Sequence, residues 1–272
     1  MSSNLVVINV PDYFSSLRPM EILGMKRIGS PNDGGYVVPL AAIFQADGLL
    51  SLGVSDDWSF DKEFKEINPA TVIHAYDHTI SSGVFFSRFL KSLLKFLLAS
   101  STLANTKHAL ETFLAYPQFF NGTIAHHFRE AIGSKKNANA TDVKKAISRL
   151  GKEKLFIKCD IEGSEYEIIE DVLEFQSRIV CLTIEFHHLG TRREEFMNAI
   201  RKLQSFLTIV HVHGNNWGSL TSDGFPEVIE LTMVRSDIFL QYQAPHSNSA
   251  SVFDAPNNPL EREYRLNWNI RP

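Results

Sequence analysis

Short apolar runs alternate with amphipathic segments from residue 48 onward, and this alternation limits the folds open to the chain. The apolar runs predict strands over 48–54, 71–77, 122–133, 154–160, 178–186, 207–214 and 226–236. The intervening segments repeat apolar residues every three or four positions and predict helices over 59–67, 140–150, 164–173 and 191–206. Such alternation predicts an α/β fold with a mostly parallel, seven-stranded sheet covered by helices on both faces.

The length of 272 residues and a hydrophobic content of 44% suit a single domain. We divide it into an N-terminal segment (1–47), a core (48–240) and a C-terminal tail (241–272). The formal net charge of −4 gives no general attraction to nucleic acid, so we expect no nucleic-acid partner. The first residues lack a basic signal-peptide start, and their apolar run is broken by Pro11. We therefore expect a cytoplasmic protein.

One stretch, residues 82–120, interrupts the alternation and predicts a helical insertion. Its first half sets phenylalanines and leucines against Arg88, Lys91 and Lys95. An amphipathic basic helix of this kind suits three roles: a lid or packing helix over a site, a peripheral membrane contact, or a homodimer face.

Polar side chains gather where the predicted strands end. They are Asp57, Asp77, Asp160, Glu185, His187 and His213. Ligands of open α/β sheets bind outside the carboxyl ends of the strands, so this pattern predicts a site at that edge. A histidine there can take a proton from a hydroxyl, or have a structural role only. Alternatively, Asp160, Glu185, His187 and His213 hold a divalent metal such as Mg²⁺ or Mn²⁺.

The turn after the first core strand, SLGVSDDWSF (51–60), contains a single glycine, Gly53. The G-x-G-x-x-G fingerprint of dinucleotide-binding folds is absent, which disfavours an NAD- or FAD-dependent oxidoreductase. One glycine followed by acids suits a ligand with a cationic amino-acid end and no phosphate, which Asp57 is placed to contact. Asp77 closes the second strand and is placed to accept the hydroxyls of a ribose.

The segment LFIKCDIEGSEYEIIEDVL (155–173) carries the densest negative charge. Glu165 and Glu167 fall in the first turn of the predicted helix, where the helix dipole favours negative charge. Asp160 and Glu162 precede that helix and lack this explanation. They are therefore candidates for a reaction site.

Taken together, these motifs resemble the FkbM-type S-adenosylmethionine-dependent methyltransferases. KCDIEGSEYEII (158–169) is similar to the family's D-x-E-G-x-E stretch, and RIGSPNDGGYVVP (27–39) to its R-x-G…D-G-G-Y segment. SLGVSDDWSFDKEF (51–64) is similar to its glycine turn, and AYDHT (75–79) to the acid that ends its second strand. The resemblance covers residues 25–236 and implies the Rossmann-like class I methyltransferase fold.

The resemblance also implies roles for individual residues. The cofactor, S-adenosyl-L-methionine, would contact Tyr36, Gly53, Ser55, Asp57, Asp77 and Asp160. Of these, Asp77 would hold the ribose, Asp160 would lie near the methyl group, and Tyr36 would close over the cofactor. Typical members pass more directly from the second to the third strand, so we expect the 82–120 insertion to shape the acceptor pocket.

We therefore expect an O-methyltransferase that acts on a hydroxyl of a sugar or glycoconjugate, in the biosynthesis of a surface polysaccharide. Asp160, His187 and His213 are the candidate proton acceptors. The alternatives are a methyltransferase for another small metabolite or a phosphorylated group, and a non-catalytic binding module with the same fold.

Overall fold

The computed structural model describes residues 5–133, 139–242 and 252–268. Its strands are β1 (Leu5–Asn9), β2 (Met25–Ile28), β3 (Tyr36–Pro39), β4 (Gly48–Leu52), β5 (Val72–Tyr76), β6 (His126–Phe128), β7 (Ala131–Ile132), β8 (Ala140–Thr141), β9 (Leu155–Cys159), β10 (Ile179–Phe186), β11 (Leu207–Gly214), β12 (Ile229–Arg235) and β13 (Glu263–Asn267). Nine of them form one sheet in the order β1-β13-β11-β12-β10-β9-β4-β5-β6. Two short ribbons, β2-β3 and β7-β8, stand apart from it.

Seven adjacent strands, from β11 to the edge strand β6, form the main part of this sheet. Numbered along the chain from β4 to β12, leaving out β7 and β8, they lie in the order 3-2-1-4-5-7-6. Strand β12 runs antiparallel to both of its neighbours, β10 and β11, and the other pairs are parallel. This is the Rossmann-like class I methyltransferase fold that the sequence predicts. Strands β13 and β1, which the sequence does not predict, extend one edge.

Helices cover both faces of the sheet, as predicted. They are α1 (Leu40–Gln45), α2 (Ser59–Ile67), α3 (Ser82–Leu97), α4 (Leu103–Phe119), α5 (Val143–Leu150), α6 (Ile169–Glu174), α7 (Arg193–Leu203) and α8 (Ser236–Tyr242). Helices α5, α6 and α7 bury Ile147, Val172 and Ile200 in one core. Helices α2 and α8 bury Phe64 and Ile238 in a second core on the opposite face.

The insertion at 82–120 is a helical hairpin made of α3 and α4. Ser81 caps α3 by accepting a hydrogen bond from the Val84 amide, and Thr102 caps α4 in the same way. The base of the hairpin packs on Trp58, whose ring lies 5.7 Å from that of Phe85 and 5.9 Å from that of Tyr116. Among the described helices, none has the length and apolar character needed to cross a membrane.

Most predicted elements are a few residues shorter than expected, and two of them differ in form. The strand predicted over 122–133 stops at Phe128, because the Glu130 amide turns back onto the Phe128 carbonyl at 2.8 Å. The helix predicted over 164–173 splits into a 3₁₀ turn at Glu165–Glu167 and α6. The predicted C-terminal tail contributes β13 to the sheet, and its residues 243–251 and 269–272 lie outside the described part of the chain.

Candidate active site

A cleft of about 510 Å³ opens at the carboxyl ends of β4, β5 and β9, where the strand order reverses. Its walls include residues 53–57 after β4, 76–79 at the end of β5, 130–132 after β6, and 160–162 after β9. Every predicted cofactor-binding residue except Tyr36 lines this cleft. The fold thus brings together segments that are far apart in the sequence.

The glycine turn sits directly against the end of β9. Gly53 has a φ of +76°, and a Cβ atom there would lie 1.6 Å from the Asp160 carbonyl oxygen. The Gly53 amide donates to the Tyr76 carbonyl at 3.0 Å, and its carbonyl accepts from Lys158 Nζ at 2.8 Å. Only glycine fits this position, because both the backbone conformation and the close approach exclude a side chain.

Asp77 holds the same turn from the side of β5. Its Oδ2 accepts from the amides of Val54 at 3.1 Å and Ser55 at 2.7 Å. Its Oδ1 accepts from the Thr79 amide at 2.7 Å and from the Thr79 hydroxyl at 2.6 Å. Burial alone would raise the pKa of Asp77, but these bonds outweigh it and lower the pKa. Four donors fill the lone-pair positions of the carboxylate, so Asp77 shapes the turn, and its ribose contact stays a prediction.

Asp57 and Ser55 complete the turn. Asp57 Oδ1 accepts from the Ser59 amide at 2.8 Å and so fixes the start of α2. Its Oδ2 lies beside Gly34, where a Cβ atom would come within 3.0 Å. Ser55 has a φ of +53°, which turns its backbone amide toward Asp77. The loop before β3 and the glycine turn therefore meet at Asp57.

Asp160 presents its carboxylate to the cleft with Lys158 and Tyr36 behind it. The Tyr36 hydroxyl lies 3.4 Å from Asp160 Oδ2, and Lys158 Nζ lies 5.4 Å from the centre of the Tyr36 ring. Burial raises the pKa of Asp160 to about 6, although the charge of Lys158 opposes this. The prediction that Tyr36 closes over the cofactor does not agree with its position, since its buried ring supports Asp160 from within the protein.

Strand register lines up polar side chains across the sheet. The pairing of β9 with β10 brings Asp160 beside Glu185. Glu185 pairs with Glu230 of β12, and Glu230 pairs with His213 of β11. Glu185, Glu230 and His213 are each less than 5% exposed. We call this row of four residues the polar belt.

His187 lies next to the Asp160 end of the belt, among carboxylates. Its Nδ1 is 3.1 Å from Glu165 Oε1, and its Nε2 is 3.3 Å from Glu185 Oε1 and 3.5 Å from Glu162 Oε2. Burial alone would lower the pKa of His187, but the bonds to Glu165 and Glu185 raise it to about 11. These carboxylates therefore favour the protonated form of the His187 imidazole.

His213 lies at the other end of the belt and does not line the cleft. Its Nδ1 is 3.2 Å from Glu230 Oε2 and its Nε2 is 2.7 Å from Glu263 Oε1, which ties β13 to β11. The sequence places His213 near His187, but β12 lies between their strands, roughly 10 Å apart at ~4.8 Å per strand. We therefore correct the expected role of His213 from base or metal ligand to structural ion pair.

Glu165 has a different role from the one predicted. It is fully buried, and its Oε1 accepts from the amides of Ile161 at 3.1 Å and Gly163 at 3.0 Å. The side chain thereby closes the loop that follows β9. This loop projects Glu162, whose φ is +54° and whose side chain is 85% exposed, beside the cleft.

The lining of the cleft is strongly acidic. Its carboxylates are those of Asp33, Asp56, Asp57, Asp77, Glu130, Asp160 and Glu162. Among the residues that the structure describes, Lys158 and His78 are the basic side chains that line it. Ala131 and Ile132 add an apolar patch. This surface repels a polyphosphate and suits a ligand that combines positive charge with a flat apolar ring.

Sequence reasoning missed several of these residues. Lys158 is buried and joins β9 to the glycine turn, and its signal is a single charge within the otherwise apolar strand LFIKC. Asp33 and Glu130 reach the cleft from loops whose course depends on tertiary contacts. Asp33 belongs to the D-G-G-Y segment quoted above, but that pattern assigned no role to its carboxylate, and no local pattern places Glu130 at the site.

Comparison with known proteins adds little at the level of sequence. No family model matches the chain, and no curated protein matches it. The FkbM-type resemblance therefore stays a prediction that rests on the motifs.

Solved methyltransferase and RNA-processing structures show a distant likeness. The precorrin-6y C5,15-methyltransferase of Geobacter metallireducens is 10% identical, with a TM-score of 0.35 over 72% of this chain and 86% of that chain. The fibrillarin pre-rRNA processing protein of Methanococcus jannaschii is 8% identical, with a TM-score of 0.34 over 71% and 68%. A variant 16S rRNA (adenine(1408)-N(1))-methyltransferase of Catenulisporales acidiphilia is 10% identical, with a TM-score of 0.31 over 77% and 98%. Scores this low carry no argument about activity.

The contact at Gly53 predicts a sharp cost for any side chain. Gly53→Ala should lower the free energy of unfolding by about 1–3 kcal/mol, because the new Cβ meets a backbone oxygen. Gly224→Ala is the matched control, since Gly224 has a similar φ of +81° but nothing within 4 Å of a Cβ. Urea unfolding of both variants measures the difference, and equal losses would contradict the contact.

The ion pairs of His213 predict a pH-dependent stability. Burial alone would lower its pKa, but Glu230 and Glu263 raise it to about 10, above the unfolded value of 6.5. The stabilisation is therefore complete below about pH 6.5 and is lost as the pH rises through 10. His213→Gln should cost about 3–5 kcal/mol at pH 6 and clearly less at pH 10. Chemical unfolding at both pH values checks this, and a cost that does not change with pH would refute it.

Proposed function

We propose that this protein is an S-adenosylmethionine-dependent O-methyltransferase. The observation that carries the proposal is an acidic cleft, without a phosphate cradle, at the strand-order switch of a class I methyltransferase fold. The cofactor suits this cleft because it carries a sulfonium, an ammonium and a nucleoside but no phosphate.

The residues present fit that cofactor segment by segment. Asp57 beside the glycine turn is available to the ammonium group through charge-assisted contacts. His78 and Thr79 at the end of β5 are available to the ribose, with Asp77 fixing the loop that carries them. Ala131 and Ile132 offer an apolar surface to the adenine ring. Asp160, the member of the polar belt that lines the cleft, lies beside these segments, and the reacting methyl group would be placed next to it.

Alignment and proton removal are the tasks left to the protein. Bound S-adenosylmethionine supplies a methyl group on sulfur, so that the C–S bond breaks with its electron pair on sulfur as the acceptor oxygen forms the O–C bond. Asp160 is placed to accept the hydroxyl proton, because it is the carboxylate of the predicted catalytic set that lines the cleft. The Tyr36 hydroxyl donates to its Oδ2 at 3.4 Å, and the charge of Lys158 favours its ionised form.

The acceptor in this proposal is a hydroxyl of a sugar or glycoconjugate, in surface polysaccharide biosynthesis. This choice follows from the family resemblance of the motifs. The acidic cleft supports an acceptor other than nucleic acid, because phosphates would meet seven carboxylates. A methyltransferase for another small metabolite or a phosphorylated group, and a non-catalytic binding module, are the competing functions.

Calorimetry and a methyl-transfer assay test this function together. We expect S-adenosylmethionine to bind to the protein, whereas NAD and ATP do not. Asp160→Asn should keep the cofactor bound but lower turnover on a sugar-acceptor panel about 10²–10⁴-fold, the usual contribution of a general base. Glu174→Gln, which changes an exposed carboxylate on α6, is the control and should leave turnover unchanged.

Each competing function gives its own result in these assays. No cofactor binding at millimolar concentration would refute the proposal. Binding without transfer to any acceptor would favour the non-catalytic module. Transfer at the wild-type rate by Asp160→Asn would remove Asp160 from the mechanism and leave the activity in place.

The tip of the helical hairpin has the properties of a membrane-contact surface. Leu97, Leu98 and Leu103 at its tip are 70%, 77% and 65% exposed. Residues 82–119 carry four basic side chains and one acidic one, in a chain whose net charge is −4. An apolar tip with basic flanks complements an anionic lipid surface. We therefore propose that the hairpin docks on anionic lipid and that the acceptor is lipid-linked.

Vesicle binding tests the lipid contact. Wild-type protein should sediment with phosphatidylglycerol vesicles and not with phosphatidylcholine vesicles, and Leu97→Glu with Leu98→Glu should weaken this at least about tenfold. Leu240→Glu, at a 71% exposed leucine outside the hairpin, is the matched control. A dimer that the paired hairpin substitution dissociates, without vesicle binding, would instead assign this face to a second copy of the chain.

A further inference from the structure

Three potential metal ligands converge beside the cleft. Asp160, Glu185 and His187 each offer one ligand atom, and these atoms lie within 4.8 Å of one another. The register of β9 and β10 sets Asp160 beside Glu185, and His187 follows two residues later on the same face. The grouping is thus a consequence of strand pairing rather than of flexible surface side chains.

The histidine is oriented as a metal ligand would be. Glu165 Oε1 lies 3.1 Å from His187 Nδ1, which leaves Nε2 facing the other two residues. Metal-binding histidines almost always donate their second ring N–H to a carboxylate or carbonyl in this way. Glu165 is itself fixed by the amides of the loop after β9, so the ring is held in one orientation.

An unpartnered oxygen points to a ligand in the same place. Glu185 is 4% exposed, and its Oε1 accepts from Asn215 Nδ2 at 3.1 Å. Its Oε2 is buried with no hydrogen-bond partner among the described residues. Buried carboxylate oxygens are normally satisfied, so this one requires an explanation.

The local charge favours a cation. The carboxylates of Asp160, Glu162, Glu165 and Glu185 surround His187, and Lys158 Nζ is bound to the Gly53 carbonyl. Negative charge therefore exceeds positive charge at this end of the polar belt. Two carboxylates with one imidazole suit Mn²⁺ and related first-row ions better than Mg²⁺, which prefers oxygen ligands and retains water.

We propose that Asp160, Glu185 and His187 bind a divalent first-row metal ion of the Mn²⁺ type at the wall of the cleft. Three protein ligands would leave further coordination positions of such an ion available to water or to the acceptor. Building on the proposed function, such an ion would bind the acceptor hydroxyl and make it easier to deprotonate. The hydroxyl proton would then pass to the second oxygen of Asp160. The C–S bond of the cofactor would break as the O–C bond to the acceptor forms, as in the proposed function.

Metal binding is measured directly, without an activity assay. After treatment with a chelator, the protein is titrated with Mn²⁺ while the signal of free Mn²⁺ is followed by electron paramagnetic resonance. We expect one ion per chain, a ¹⁴N modulation from imidazole in the pulsed spectrum, and its loss in His187→Gln. Glu185→Gln should weaken binding at least tenfold. Asp56→Asn changes a carboxylate that lines the same cleft outside the cluster, and it should bind as the wild type does.

The outcomes separate this inference from the proposed function. Saturation without the imidazole modulation, equal affinity in Glu185→Gln, or no uptake at millimolar Mn²⁺ would overturn the metal site and leave a histidine–carboxylate network. Circular dichroism of each variant shows whether it is folded. If a variant is not folded, the imidazole modulation in the pulsed spectrum of the wild-type protein decides whether a histidine binds the ion. Methyl transfer at the full rate in the presence of chelator would support the proposed function and show that the metal has no part in it. Mn²⁺ uptake by a protein that does not bind S-adenosylmethionine would support the metal site and refute the proposed function.

Discussion

The shape of the site depends on the packing of the Gly53 turn against the end of β9. The glycine backbone lies so near the Asp160 carbonyl that no side chain fits, and Lys158 reaches across to the Gly53 carbonyl from inside the sheet. Asp77 holds the other side of the turn through backbone amides. Three parallel strand ends are thereby fixed to one another, and the cleft between them is formed by the backbone itself. A ligand that binds in such a pre-formed cleft requires little further ordering of the protein.

Burial of charge is the second organising feature. The polar belt crosses four neighbouring strands at one level. Because β12 lies between β10 and β11, the histidines at its two ends belong to two separate groups of charged residues. His213 with Glu230 and Glu263 joins the edge strand β13 to the sheet. His187 with its carboxylates borders the cleft. In both groups carboxylates raise the pKa of the histidine, but only the second group borders the cleft in which a ligand would bind.

The sequence predicts the sheet well because its strands are short, apolar and regularly spaced, and α2 begins and ends at the predicted residues. It also predicts the acids that end the strands, since these lie in order along the chain. It could not reveal that β12 separates β10 from β11, and for that reason it grouped His213 with His187. Nor does any local signal show that Tyr36 would be buried behind Asp160, or that Glu165 would turn inward. These positions depend on contacts between distant segments.

Hydrogen–deuterium exchange with and without S-adenosylmethionine tests most directly whether these segments form one cofactor site. The account predicts slower exchange on addition of the cofactor in four separate segments: 53–57, 76–79, 130–132 and 160–162. Protection confined to one of them, or found instead around His213 and β13, would contradict the convergence of the strand ends on a common ligand.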